Sequence, residues 1–386
     1  MYLETKNRCE WFSLYSITLL CLLGATYLSG FLIIPETGFL EIIFFIAALL
    51  AFFKYGINQI ALVFSLLSLF YLLYSLFFVL LVTQKNIIDF IQAYKSYYYL
   101  ILLGFFYKRR VFSEENVVKF YRFIVILFLI KYSADKFLLN VERPTLLIEN
   151  NFELIMLILT YYLVNIIRGK LGILDTMIIL VVCFISGSRS SFSALLIAIL
   201  FSMDRKLDIR KMLYMVLIPI VLSLVFFIFS ERLTSGSSLE SIDRYRFLLE
   251  FIYSVSDWPW WRFFIGSEAI TPLSIGSCHD LAYYESLFSY AGNGECYSVI
   301  LHSFLLRVIY DHGIIGFFML LIPIWVYLYK FKTKHKICVI LILLATALSV
   351  SSLNNVYVAL SLILFIGIDS DFKKKRQEDS EEGVIN

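Results

Sequence analysis

Arginine and histidine are sparse in the apolar stretches of this chain, and where they occur they cluster. Arg189 sits in "SGSRSSFS", at the junction of two apolar runs. Arg244 and Arg246 lie in "SSLESIDRYRFLLEFIYSV", and His302, Arg307 and Asp311 in "LHSFLLRVIYDHGIIGFFMLL", residues 301–321. A guanidinium offers a planar fork that grips a phosphate through two hydrogen bonds, whereas an ammonium is a point charge. The segment 231–298 holds Arg232, Arg244, Arg246 and Arg262 and no lysine. That bias, with Arg189 and Arg307 on either side, fits a phosphate or diphosphate ligand. Acidic residues from Glu231 to Glu295 share the segment, so it is no general polyanion surface. His302 titrates near neutrality and has the chemistry to take a proton from a hydroxyl, or it is a structural histidine on an apolar helix.

Other residues carry two readings each. Trp258, Trp260 and Trp261 in "SDWPWWRFFIG" are either an interfacial anchor or a platform for sugar rings, with Arg262 beside them. Cys278 and Cys296 are the only cysteines of the segment and either close it by a disulfide or stay free. Lys131 and Asp135, spaced i,i+4 in an apolar run, are a functional pair or a self-neutralised lock. Glu240 with Arg244, and Arg246 with Glu250, have the same spacing and predict surface ion pairs on an amphipathic helix whose capping box is Ser237 with Glu240. No HExxH, Walker loop or Rossmann glycine pattern is present, and His302 and Asp311 lack a ligand partner at helical spacing. The expectation is therefore no metal, no cofactor and no nucleic-acid partner.

The elements that must position these groups are membrane spans. Of 386 residues, 60% are apolar, 18% aromatic and 16% charged. A soluble domain has about 25% charged residues. Apolar blocks run at 11–34, 39–53, 57–83, 91–107, 117–139, 152–168, 171–187, 190–203, 212–230, 313–331, 337–352 and 354–368. Many approach the roughly 20 residues that cross a hydrocarbon core. The first block lacks a small-x-small exit and reads as a retained span rather than a signal peptide. Lysine and arginine gather in alternate loops: Lys54, Lys108–Arg110, Arg168/Lys170, Arg205–Lys211, Lys330–Lys336 and Lys373–Arg376. The short loops between them hold only Lys85, Lys95 and Arg143. The positive-inside rule then puts both termini in the cytoplasm. The predicted fold is an all-α polytopic integral membrane protein. It has one domain over 1–386, about twelve transmembrane helices, and a large outer loop with its re-entry segment at 231–312.

Taken in order, "SGSRS", a loop arginine on a capped helix, and "LHSFLLRVIYDHGIIG" resemble the bacterial O-antigen polymerase and O-antigen ligase superfamily. The resemblance covers about residues 171–331. It implies a metal-independent glycosyltransferase of the C type in the bacterial inner membrane, with its site facing the periplasm. The donor and acceptor would be undecaprenyl-diphosphate-linked oligosaccharides held in membrane lipid, with a chain-length regulator and a flippase as candidate partners. By position, Arg189 is similar to the family's membrane-edge arginine, Arg244 or Arg246 to its loop arginine, and His302 to its histidine. Arg307, Arg262, Asp311 and the tryptophans are expected substrate contacts. Ser303 stands where the family has asparagine. A polymerase is the favoured reading. The alternatives are a ligase, which moves the glycan to lipid A–core, and a flippase or other transporter.

Overall fold

The computed structural model describes residues 8–26, 36–203 and 243–370. Block 212–230, the Ser237/Glu240 capping box and the C-terminal lysine cluster lie outside the described residues. Helices make up the fold. They are α1 (Arg8–Thr26), α2 (Glu36–Tyr55), α3 (Gln59–Phe78), α4 (Ile87–Ala93), α5 (Lys95–Gly104), α6 (Glu114–Phe137), α7 (Asn150–Arg168), α8 (Ile173–Ser186) and α9 (Arg189–Ser202). After the undescribed stretch come α10 (Asp243–Val255), α11 (Arg262–Ile265), α12 (Ile275–Asp280), α13 (Phe304–Tyr327), α14 (Thr333–Ala347) and α15 (Val356–Gly367). The described residues pair as strand only at a single bridge, Phe112 to Ile368.

Apolar runs supply the helices, and polar residues between them set the ends. Asn58, Asn86, Ser113, Ser188 and Asn355 each cap a helix by accepting a backbone N–H of its first turn. Gly169 and Gly187 end α7 and α8 in the left-handed conformation. Helices α1, α2, α7 and α13, and α3 with its π-helical extension to Thr83, are long and apolar enough to cross a membrane. The shorter apolar helices are α8, α9 and α15. The chain is an all-helical protein of transmembrane character. Two helices form its centre: every residue of α15 is buried, and α7 is buried on nearly all sides. α7 packs on α9 and α15, and α14 packs on α9. α3 instead turns Val63, Leu67, Phe70 and Phe77 outward, an apolar face suited to lipid.

Buried ions lock this bundle. Lys131 and Asp135 pair at 2.6 Å inside it. Glu153 accepts from Tyr132 Oη at 2.6 Å and from the N–H groups of Leu146 and Leu147 at 2.6 and 2.8 Å. That carboxylate stands in for backbone partners and fixes the loop before α7.

The apolar block expected to begin at 313 becomes a helix that begins nine residues earlier, at Phe304. Its polar first turns carry Arg307, Asp311 and His312, all buried. The helix breaks at Gly313 (φ 64°, ψ −176°), against Gly266 (φ 83°, ψ −171°) at the end of α11. This backbone region is open essentially to glycine alone. Ser267 N–H donates to the Tyr310 carbonyl at 2.7 Å, replacing the helical bond that the break removes. The segment after the tryptophans is thus docked into the broken helix. A Cβ on Gly313 would collide with the Phe264 carbonyl, whereas one on Gly276 meets nothing within 4 Å. Gly313→Ala is expected to cost about 1–3 kcal/mol or more. It should lower the thermal midpoint in detergent, followed by tryptophan fluorescence, while Gly276→Ala leaves it unchanged.

Candidate functional site

Several helices begin around one cavity. It has a volume of about 1310 Å³ and is lined by the first turns of α2 (Thr37, Glu41), α5 (Lys95, Tyr99), α7 (Asn150, Asn151), α9 (Arg189) and α15 (Val356). Residues next to the start of α13 (His302) and in its first turn (Arg307) also line it. Helix N-termini carry partial positive charge and unpaired N–H donors, so their convergence favours an anion. Neither Glu149 nor Ser303, the N-cap residues of α7 and α13, caps its own helix by side chain. The volume exceeds the roughly 300–1,000 Å³ of ordinary small-molecule pockets.

The arginines join this field. Arg189, Arg244 and Arg307 line the cavity with His302. Arg189 follows Ser188, whose hydroxyl donates to Asn151 Oδ1 at 2.7 Å and so ties the start of α9 to the start of α7. Arg307 is only 5% exposed. Its Nη1 donates to Ser351 Oγ at 2.7 Å, and its Nε has no hydrogen-bond partner. Among the described residues no carboxylate lies within 4.0 Å of it. Asp311, one turn on, accepts from Ser298 Oγ instead. Asp311 acts on Arg307 only through space. A guanidinium removed from water without a contact ion pair is costly, and it makes the cavity a place where an anion is stabilised.

His302 has φ 52°, left-handed for a residue with a side chain. The 3₁₀ turn Ser298–Leu301 and the start of α13 hold it there. Its ring lies 5.4 Å from Phe247 and 6.3 Å from Tyr284 between ring centroids. Ser351 Oγ, which receives the Arg307 bond, reaches the His302 carbonyl at 3.4 Å. The Ser303 hydroxyl donates to the Ala347 carbonyl at 3.1 Å, so it anchors the backbone beside the histidine.

Other expected contacts lie elsewhere. Arg246 donates to the Asp280 carbonyl, forms no ion pair with Glu250, and leaves the cavity to Arg244. The two arginines are separated because positions two apart on a helix face different ways. Burial pushes the Glu250 carboxyl up. The Arg262 guanidinium lies 5.4 Å over the Trp258 ring, and Trp258 stacks on Tyr310 at 5.2 Å. Trp260 and Trp261 are 76% and 48% exposed. All four are away from the cavity, and the tryptophans act as packing post and surface groups there. Asp311 is behind the wall, where it holds the turn that presents His302.

A second, smaller core positions the wall formed by residues 284–302. Phe247, Phe251, Leu281, Phe288, Ile300 and Tyr310 pack together in it. A disulfide joins Cys278 to Cys296 within this unit. Two polar latches fasten it to α4 and the turn before it. Asp89 accepts from Ser289 Oγ at 2.7 Å and Tyr290 N at 3.0 Å. Lys85 Nζ meets Glu295 at 2.5 and 2.6 Å, and this bond lowers the Glu295 pKa.

Sequence reasoning missed the cavity residues Arg143, Lys95, Glu41, Asp89 and Glu149. Lys85, Lys95 and Arg143 were the exceptions to the charge asymmetry, and that scarcity was their signal. No family model and no curated protein matches the chain.

Inorganic pyrophosphate is the simplest probe of this anion site. At a hundredfold excess over its dissociation constant it should stabilise the protein by about 2.7 kcal/mol. The expected rise in thermal midpoint should vanish in Arg307→Gln, and an equal rise in that variant would remove the site.

Proposed function

We propose that the protein is an O-antigen polymerase. It transfers a growing undecaprenyl-diphosphate-linked glycan onto the non-reducing end of a fresh lipid-linked repeat unit. On this reading it is a bacterial inner-membrane protein of about twelve spans. Both termini are cytoplasmic, and the cavity faces the periplasm. The observation that carries the proposal is the buried Arg307, with an unpaired Nε and no carboxylate in contact among the described residues, on a cavity shared with Arg189 and Arg244, where helix N-termini converge.

The chemistry follows from the charges. As the glycosidic bond breaks, negative charge gathers on the departing diphosphate. Guanidinium groups already aimed at that position stabilise it with little reorganisation. A base on the cavity wall takes the proton of the acceptor hydroxyl. By resemblance to the family, His302 is the first candidate for that base. The cavity volume suits two lipid-linked sugars better than one. A chain-length regulator and a flippase are the partners such a reaction calls for.

Arg189→Ala should reduce polymer formation by about 10²–10³-fold, the usual loss for one charge-stabilising donor. Arg189→Lys keeps the charge but loses the fork and should recover only part. Both are read as glycan ladders from cells carrying equal amounts of inserted protein. Full-length ladders from Arg189→Ala would overturn the proposal. A deletion strain that leaves bare core, rather than core capped with one repeat, would identify a ligase instead.

A further inference from the structure

The carboxylates around the cavity differ in what they already hold. Glu41 accepts from Lys95 Nζ at 2.6 Å and Tyr99 Oη at 2.7 Å. Asp89 holds Ser289 and Tyr290, Glu295 holds Lys85, and Glu153 holds Tyr132 and two backbone amides. Glu149 is the exception. It lines the cavity, half-buried, and its carboxylate accepts no hydrogen bond among the described residues. It stands at the N-cap of α7, where a side chain ordinarily accepts from the helix, yet it makes no such bond. Two residues on, Asn151 takes the hydrogen bond from Ser188 that sets Arg189 in place. An acceptor-only group is therefore held free on the wall that carries the anion-binding arginine.

We propose that Glu149, and not His302, is the proton acceptor for the attacking sugar hydroxyl. The inference rests on the glycosyl-transfer reading. The hydroxyl proton passes to a Glu149 oxygen while the hydroxyl oxygen bonds to the anomeric carbon of the donor. The bond from that carbon to the diphosphate oxygen breaks, and its electron pair leaves with the lipid diphosphate. Glu149 then returns its proton to water. The His302 ring packs against Phe247 and Tyr284, beside the helix that carries Arg244. Burial pushes the Glu149 carboxyl above its ordinary range, and Lys95 opposes this. The charged groups around it are Lys95, Glu41, Arg143 and Arg189 on the cavity wall and Glu153 one turn along α7.

The test uses the full chain in nanodiscs, with lipid-linked repeat units extracted from the membranes of its source cells. Transfer is read as polymer formed per unit time, and geranylgeranyl diphosphate binding is read by thermal shift. Glu149→Gln should lower transfer by about 10²-fold or more, the usual worth of a general base. It should leave geranylgeranyl diphosphate affinity within about threefold, because it spares the arginines. Glu149→Asp should recover part of the rate. In the wild type and in His302→Gln, transfer should fall about tenfold per pH unit below the Glu149 pKa, since only the ionised carboxylate accepts a proton. Glu149→Gln should lack that acid limb. Transfer by Glu149→Gln within about threefold of wild type, or an acid limb that persists in it, overturns the assignment. A wild type with no acid limb overturns it as well, even if the variant fails to fold. If Arg307→Gln abolishes geranylgeranyl diphosphate binding while Glu149→Gln transfers normally, only the carboxylate assignment falls. If Arg189→Ala and Arg307→Gln also transfer normally, the glycosyl-transfer reading falls.

Discussion

A charged guanidinium with almost no access to water, whose nearest carboxylate, the buried Asp311 one turn on, acts on it without a contact ion pair, is the constraint around which this fold is organised. Arg307 has one hydroxyl partner and an unpaired Nε. The desolvation of such an ion costs several kcal/mol even after relaxation. Asp311 relieves that cost only in part. Helix N-termini point toward the same space, and Arg189 and Arg244 share it. Each adds positive potential. Lys131 meets the carboxylate one turn on at 2.6 Å, whereas Asp311, at the same spacing from Arg307, turns to Ser298 instead. The contrast between these two buried cations separates a structural ion pair from a site.

Holding such a field requires rigid walls. The Gly266–Gly313 crossing lets α13 break without leaving its backbone unpaired, because Ser267 takes the Tyr310 carbonyl. In a membrane protein irregular backbone survives only where such partners exist. The break separates the turn that carries Arg307 and Asp311 from the long apolar half of the helix. The disulfide, the small aromatic core and the latches at Asp89 and Glu295 then fasten the 284–302 wall over the cavity. The tryptophans brace this arrangement from outside, where Trp258 stacks on Tyr310 and Arg262 covers Trp258. Of the three, Trp258 is part of the scaffold, while Trp260 and Trp261 stay exposed on the surface.

The sequence made the helical class and four cavity residues legible: Arg189, Arg244, Arg307 and His302. They stood out because charge is rare in apolar surroundings, so each exception draws the eye. The start of α13 was obscured by the same residues. Arg307, Asp311 and His312 look like loop when counted by hydropathy, yet they face inward. Choosing between Arg244 and Arg246 needed the rotation of α10, which two adjacent candidates cannot supply. Glu149, Lys95 and Arg143 were hidden for another reason. They sit in short connections whose charges were read for topology alone, and only the packing of α5, α7 and α9 brings them to one cavity.

A carboxylate without a hydrogen bond, on the wall of a cavity that also carries arginines, needs its own account. Lys95 favours the ionised form, which keeps Glu149 ready to accept a proton but weakens it as a base. Burial acts in the opposite sense and already raises its pKa. On the proposed mechanism the balance changes when a donor binds. A diphosphate held by the arginines brings negative charge into the cavity that Glu149 lines, and that charge raises the carboxylate's affinity for protons. Glu149 then becomes the stronger base at the moment an acceptor hydroxyl has something to attack. Without donor, the same residue is the more acidic and the less able to activate water. Anion binding and proton transfer are in this way coupled through charge alone, with no moving part.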